Sequence, residues 1–364
     1  MKLLNRYSWL ISILGLILLL GLIFFWVKPL LGDQKEVLDF TDANSVRLED
    51  VVPPNTQPEE LKILAFGDMM LDRNVGKKIK NNELSFLFND LEKAGLFVNR
   101  DLIMANLEGA VTNQGAHYAP QNAYDFAFSP ELIAQLKPYG FNFFNLANNH
   151  FSDQGEKGVK ETRDNLTALG IDHSGSVDAQ ADGNSVIVKE IQNQEVALVG
   201  LSMVYNHFDL AKAVKIIKEQ KAAGHLVVVS IHWGTEYQHQ YNKIQENIGH
   251  SLVDAGADII IGHHPHVIQG MEIYNNHPIF YSLGNFIFDQ YFSADTQNGL
   301  ALLADYNSGA WTLRLVPLKS IASVPKVMTA SEANVLWSKF FTWSKLSATQ
   351  QDALKKGELI ISEK

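Results

Sequence analysis

No cysteine occurs among the 364 residues. Disulfides, thiolate nucleophiles, zinc–thiolate sites and cysteine-linked lipid anchors are therefore excluded. Positive charge is also scarce. The chain has 30 Lys and Arg against 40 Asp and Glu, a formal charge of −10, and no basic block. Nucleic-acid backbones are held by clustered Lys and Arg, so nucleic acid is not expected as a partner. Charged residues reach only 19%, against 46% apolar, an ordinary globular balance once one membrane segment is allowed for. No internal repeat is visible, and the length suits one large domain or two.

The amino terminus carries the first positive signal. Residues 9–27 form an uncharged run dominated by Leu and Ile, long enough to cross the hydrocarbon core as a helix. Lys2 and Arg6 precede it, so the positive-inside rule keeps residues 1–8 as a cytoplasmic stub and exports the chain beyond residue 27. The run closes on Phe24, Phe25, Trp26 and Val27, bulky residues that suit an uncleaved anchor better than a signal peptide. The expectation is a single-pass protein of the cell membrane, touching the lipid bilayer through residues 9–27, with its domain outside the cytoplasm. Residues 28–60 are polar, with Pro53, Pro54 and Pro58 near their end, and read as a linker. A domain over 61–320 and a helical extension over 321–364 complete the chain.

Beyond the linker, short apolar runs alternate with helical patterns, which predicts an α/β fold with a mostly parallel sheet. The runs end in residues that carry chemistry. Asp68 follows 62–67, Glu108 follows 102–107, Asn149 and His150 follow 141–146, and His232 follows 226–231. The run 259–261 closes at Gly262 and is followed by His263, His264 and His266. Pro265 is expected to hold His264 extended, on stiff backbone. Strand ends of a parallel sheet lie side by side, so these distant residues are expected to converge on one edge.

One Asp, one Glu, one Asn and several imidazoles exceed the four ligands of a closed zinc site. They suit a pair of divalent ions of the Mn, Fe or Zn type, with a bridging carboxylate and imidazoles outside. Such a pair generates hydroxide from water near neutral pH and neutralises charge on a phosphorus or carbonyl centre. His150 can serve as proton donor to a leaving oxygen. Metal-assisted hydrolysis is the reaction class this pattern favours, with phosphoryl chemistry as its natural substrate.

Six strings strengthen this reading: Gly67-Asp68-Met69-Met70-Leu71, Asn106-Leu107-Glu108-Gly109, Asn148-Asn149-His150 with Asp153 and Gly155, His232-Trp233-Gly234 with Glu236 and Tyr237, Gly262-His263-His264-Pro265-His266, and Ser282-Leu283-Gly284-Asn285-Phe286. In this order and spacing the chain resembles the CapA family, associated with poly-γ-glutamate capsule synthesis, within the calcineurin-like metallophosphoesterase superfamily. The resemblance implies a four-layer α/β/β/α sandwich with a dimetal site at its strand ends. Asp68, Glu108, Asn149, His232, His264 and His266 would be ligands, and His150 the acid-side residue. Asp153, Trp233, Glu236, Asn285 and His263 fall beside that set, as substrate-facing or supporting positions. Asp153 is expected to cap the helix near Gly155, and His263 to face solvent. Trp233 and Tyr237 are expected to wall the substrate or to pack in the core.

Met70 stands where the wider superfamily has a metal-binding His, so one ion or two would be held. Asp72 is expected to be a solvated turn carboxylate. The resemblance also implies a possible partner, a polymer synthase or exporter complex, in which the chain would act as an accessory subunit. A metal-dependent γ-glutamyl amide hydrolase is the remaining reading.

Overall fold

Strand β1 (Leu61–Met69) is buried along nearly its whole length, as a strand must be when both faces of its sheet are covered. The computed structural model describes residues 59–121, 123–204 and 208–362. The expected anchor at 9–27 and nearly all of the linker lie outside the described residues. Among the described residues, no helix is long and apolar enough to cross a membrane.

β1 is joined by β2 (Leu102–Leu107), and two short strands, β3 (Ala110–Val111) and β4 (Ala127–Phe128), make a separate ribbon. β5 (Phe141–Asn145) and β6 (Asp172–Ser174) extend the β1–β2 pair in parallel. A second sheet starts with the hairpin of β7 (Val186–Ile191) and β8 (Gln194–Ser202). It continues through β9 (Leu226–His232), β10 (Ile259–His263), β11 (Met271–Tyr274) and β12 (His277–Phe280), in the order β11-β12-β10-β9-β8-β7. The chain then returns to the first sheet. β13 (Asn285–Ile287) pairs parallel with β1, and β14 (Asn298–Asn307), β15 (Ala310–Ile321) and β16 (Val324–Val327) add an antiparallel meander on the other side of β1.

The expected mostly parallel pairing is thus corrected to mixed pairing in both sheets. Alternating strands and helices dictate the parallel halves, but the antiparallel return of β14 and β15 reads no differently in a single sequence.

The helices cover the outer faces. Val75 of α1 (Arg73–Asn82), Leu91 of α2 (Asn89–Lys93), Ile133 of α3 (Pro130–Ala134) and Leu166 of α4 (Gly155–Leu169) pack on Leu64, Phe66 and Ile103 of the first sheet. Ala213 and Ile217 of α5 (Leu210–Ala222), with Leu252 and Val253 of α6 (Lys243–Ala255), pack on Val199, Val229 and Ile260 of the second. Between the sheets, Ile63, Met104 and Phe143 meet Leu198, Val228 and Ile261. The result is an α/β/β/α sandwich, the layering the resemblance implied. The segment 321–364 holds α7 (Ala330–Trp343) and α8 (Ala348–Lys355), which insert Leu336, Phe340 and Leu354 into the middle core. It also ends in a strand, β17 (Leu359–Ser362), paired antiparallel with β15.

One crossing ties the sheets together beside the strand ends. The Leu283 amide donates to the Gly262 carbonyl at 3.2 Å, and the Asp68 amide donates to the Gly284 carbonyl at 3.0 Å. The loop before β13 therefore bonds to β10 in one sheet and β1 in the other.

Candidate metal centre

Parallel register sets Asp68 opposite Asn106, and Asn106 opposite Asn145. Glu108 lies just past β2, fully buried like Asp68. Sequence reasoning gave Asn106 no role, yet it is the hub of this edge. Its Oδ1 accepts from Asn145 Nδ2 at 3.1 Å and Asn148 Nδ2 at 3.2 Å. Those two donors fix the orientation of the amide and turn its Nδ2 onto Asp68 Oδ1 (2.8 Å), Glu108 Oε1 (3.2 Å) and His232 Nδ1 (3.1 Å). Asn149 Oδ1 meets the other nitrogen of His232 at 2.8 Å. Asp68, Glu108 and His232 offer ligand atoms all within 4.8 Å of one another.

A second group lies beside the first. His264, His266 and Glu236 likewise bring ligand atoms within 4.8 Å of one another. Here the backbone departs from expectation. His264 is not extended but has φ +97, and His266 has φ +58. Left-handed conformations cost non-glycine residues about 1–3 kcal/mol each and concentrate at functional sites. Asp68 Oδ2 holds the turn by accepting from the His264 amide at 3.2 Å and lies 3.4 Å from His266 Nδ1. Asn285, at the start of β13, meets the same His266 nitrogen at 3.0 Å through its Oδ1, while its Nδ2 donates to the Thr296 carbonyl and Gln290 Oε1, so it ties an imidazole to the loop after β13.

His150 stands at the mouth. Its Nδ1 meets Asp153 Oδ2 at 2.9 Å, and its Nε2 lies 3.9 Å from Glu108 Oε2. Asp153 does not cap α4, whose N-cap Gln154 makes no side-chain capping bond. It accepts instead from the Phe126 amide and holds His150. Two further expectations, for His263 and Asp72, are corrected, and the alternatives left for Trp233 and Tyr237 are resolved. His263 is buried, not solvent-facing, because β10 runs on through it and pairs it with His232. Of the two roles expected for Trp233, packing is the one found: it is buried in the outer core of the second sheet and donates to the Tyr281 carbonyl at 2.8 Å. Asp72 is the N-cap of α1 and also accepts from the Ala127 amide at 3.0 Å. Tyr237, by contrast, is 41% exposed and lines the cleft above the site.

Burial works to raise the Asp68 pKa, but hydrogen bonding to and attraction by His266, with help from His263 and His232, hold it well below the ordinary carboxylate range. Glu108 goes the other way: burial, and then the Asp68 charge, push it well above its usual value. Burial and the neighbouring His264 hold His232 well below the usual imidazole value. Burial also lowers His264 to about 3, with His266 adding to the effect. Neutral imidazoles and an ionised Asp68 are protonation states that metal ligands need, while Glu108, with its raised value, would release its proton on binding a cation. Glu108 Oε2 and His264 Nδ1 are buried without a hydrogen-bond partner, which marks unspent ligand capacity. The residues present fit a divalent cation.

His263 allows a test that needs no metal. Burial takes its pKa down to about 4, against a smaller upward pull from Asp68. A depressed histidine contributes stability above its unfolded value that is lost as pH falls toward the folded one. Chelator-stripped protein should therefore lose ~3 kcal/mol between about pH 6.5 and pH 4 through this residue. Urea denaturation across that range should show a shallower pH slope for His263→Asn, and an unchanged slope would refute the assignment.

A four-layer α/β sandwich with carboxylates and imidazoles converging where its strands end defines a metallophosphoesterase-like protein. The family described as "Bacterial capsule synthesis protein PGA_cap" matches residues 62–290. The "Capsule biosynthesis protein CapA" of Bacillus anthracis is 31% identical over 78% of this chain and 74% of its own. The "PGA biosynthesis protein CapA" of Bacillus subtilis strain 168 is 30% identical over 71% of each. The chain belongs to the CapA family of capsule and poly-glutamate synthesis proteins. A more distant relative, from Mycobacterium tuberculosis, is called "Probable polyglutamine synthesis accessory protein" and is 24% identical over 65% of this chain and 70% of its own. Among solved structures, a hypothetical protein from Thermus thermophilus aligns over 74% of this chain and 99% of its own at 14% identity, with a TM-score of 0.43.

Proposed function

We propose that this chain is a membrane-anchored, outward-facing, metal-dependent hydrolase of the phosphatase or phosphodiesterase type that acts in capsule polymer metabolism. The observation that carries the reading is the pair of adjoining groups, Asp68–Glu108–His232 and Glu236–His264–His266. Bound divalent metal would supply hydroxide near neutral pH and offset negative charge on the reacting centre. Asp68, Glu108, Asn149, His232, His264 and His266 would hold it, with Glu236 at the outer edge. Asn106 donates to both carboxylates and aims them, and Asn285 orients the His266 ring. Asp153 fixes the His150 ring so that Nε2 faces the site, where it can hand a proton to a leaving oxygen.

Metal analysis of the full chain in detergent, together with hydrolysis of bis(p-nitrophenyl) phosphate before and after chelation, tests this. His150→Ala should lower turnover by about 10²–10⁴-fold, as loss of a general acid does, with metal content unchanged. Protein that carries no metal with all these residues intact would sink the proposal.

A second reading is a non-catalytic accessory subunit of a polymer synthase or exporter complex. Met70, buried where the superfamily has an imidazole, favours it, as does the name of the mycobacterial relative. Under that reading Asp68→Asn leaves polymer production intact in cells, whereas removal of residues 1–30 abolishes it. A γ-glutamyl amide hydrolase would use the same residues on a carbonyl carbon, and amide substrates assayed beside the phosphodiester separate it from the first reading.

A further inference from the structure

The metal-capable groups open into a cleft of about 660 Å³. That is far more room than a lone phosphate needs and within the range of sites that enclose a sizeable ligand. The cleft has room for an arm beyond the reacting group. The chemistry of the cleft wall shows what that arm can be. Histidines aside, Arg73 is the one basic residue that lines it among the described residues, against the carboxylates of Glu236 and Asp289.

Arg73 sits one aromatic ring away from the site on two sides. Its guanidinium carbon lies 4.8 Å from the centre of the Phe126 ring and 5.8 Å from that of Phe288. Phe126 in turn lies 4.3 Å from the His150 ring, and Phe288 lies 4.9 Å from the His266 ring. The residue is only partly paired. One terminal nitrogen bonds to Asp289 Oδ1, while Nε is buried without any partner. A guanidinium carries five donors in a planar fork suited to carboxylate and phosphate oxygens. The backbone is also strained, with φ +49 at Arg73. A simple helix-start ion pair does not require a left-handed arginine, and such strain collects at ligand clamps.

We infer that Arg73 is a subsite for an oxyanion, carboxylate or phosphate, on the non-reacting arm of the substrate, with Phe126 and Phe288 as its walls and Asp289 as the carboxylate that an incoming oxyanion displaces. This deepens the hydrolase reading and rests on it only for what happens at the other end of the substrate. Arg73 is the one permanent cation lining the cleft among the described residues, with the Glu236 carboxylate also lining it, so the subsite fixes which way round an anionic chain enters.

The test is direct binding, measured by titration calorimetry on the full chain in detergent after metal is stripped. Glutarate and methyl phosphate serve as separate probes for the two oxyanion types. Wild type should bind at least one of them. Arg73→Gln should weaken that binding at least tenfold, and Arg73→Lys, which keeps the charge but loses the fork, should fall between. Asp289→Asn removes the competing carboxylate and should tighten binding. Opposite signs for the two partners are the signature, because a merely structural ion pair would move both variants the same way. Arg73→Gln binding like wild type, both variants weakening together, or neither probe binding wild type would each overturn the inference. Metal analysis runs separately, so a chain that holds no metal yet binds anions through Arg73 would reject the hydrolase reading and keep the subsite.

Discussion

Glu108→Gln is expected to strip the protein of metal and, in the metal-free state, to make it more stable. Both effects come from one buried carboxyl. Glu108 is fully buried beside Asp68, with one oxygen unpartnered. Burial and then the Asp68 charge push its pKa well up. A carboxyl whose folded value is raised contributes stability at low pH and loses it as pH rises toward that folded value. Glutamine does not titrate and escapes that loss. In chelated protein the difference between Glu108→Gln and wild type should therefore be near zero around pH 4.5 and grow in favour of the variant as pH rises. At neutral pH we expect about 1–3 kcal/mol, the range for relieving a buried, unpaired charge.

Metal inverts the order. Replacing even a residue that only supports a metal ligand costs about 10–100-fold in affinity or activity, so loss of this carboxylate should exceed that in both. A cation at roughly 1,000 times its dissociation constant would stabilise wild type by about 4 kcal/mol, and the variant would gain little. Thermal denaturation of both proteins, with chelator and with added Mn²⁺ or Zn²⁺, should give melting temperatures that cross. Parallel shifts, or a chelated variant less stable than wild type, would mean that Glu108 supports the fold rather than a cation.

The convergence behind this prediction was legible because each strand is short, apolar and stopped by a residue with chemistry. Ile259, Ile260 and Ile261 closing at Gly262 announce a buried strand whatever the partner strands are. Other features depend on facts that a single sequence does not carry. Asn106 reads as an ordinary strand residue until register places it between Asp68 and Asn145. His263 reads as part of a loop because Gly262 looks like a strand end, whereas β10 continues one residue further and buries it. Trp233 and Tyr237 are near neighbours in the chain, and only the packing of Trp233 against Tyr281 shows that one belongs to the core and the other to the cleft. Asp153 has the position of a helix cap, but Gly155 at φ +64 bends the chain at the first residue of α4, and the carboxylate meets His150. Arg73 lies just beyond the first string, yet its role rests on Phe126, Phe288 and Asp289, which lie far along the chain.

Gly67→Ala should be the most damaging glycine-to-alanine change among the described residues. A Cβ at Gly67 would lie 1.8 Å from the Gly284 carbonyl oxygen, the group that accepts the Asp68 amide. The obstacle is backbone, so no side chain can swing away. Relief requires moving the Ser282–Asn285 segment off β1. That segment holds Leu283, bonded to Gly262 at 3.2 Å and Leu300 at 2.8 Å, and Asn285, the partner of His266. Overpacking a well-filled interior typically costs about 1–3 kcal/mol and occasionally more, and here a bond between the two sheets is lost as well. We expect at least ~3 kcal/mol, a fall in melting temperature on the order of 10 °C, and impaired metal binding, because Asp68 and Asn285 move together.

Gly95→Ala is the matched control. Gly95 has φ +71 and nothing within 4 Å of an added Cβ, so it should cost only about 1 kcal/mol, the conformational penalty alone. Equal melting temperatures for the two variants, or a Gly67→Ala protein that keeps wild-type stability and metal, would show that β1 has slack beside Gly284. The placement of Asp68 would then need a cause other than this backbone crossing between the sheets.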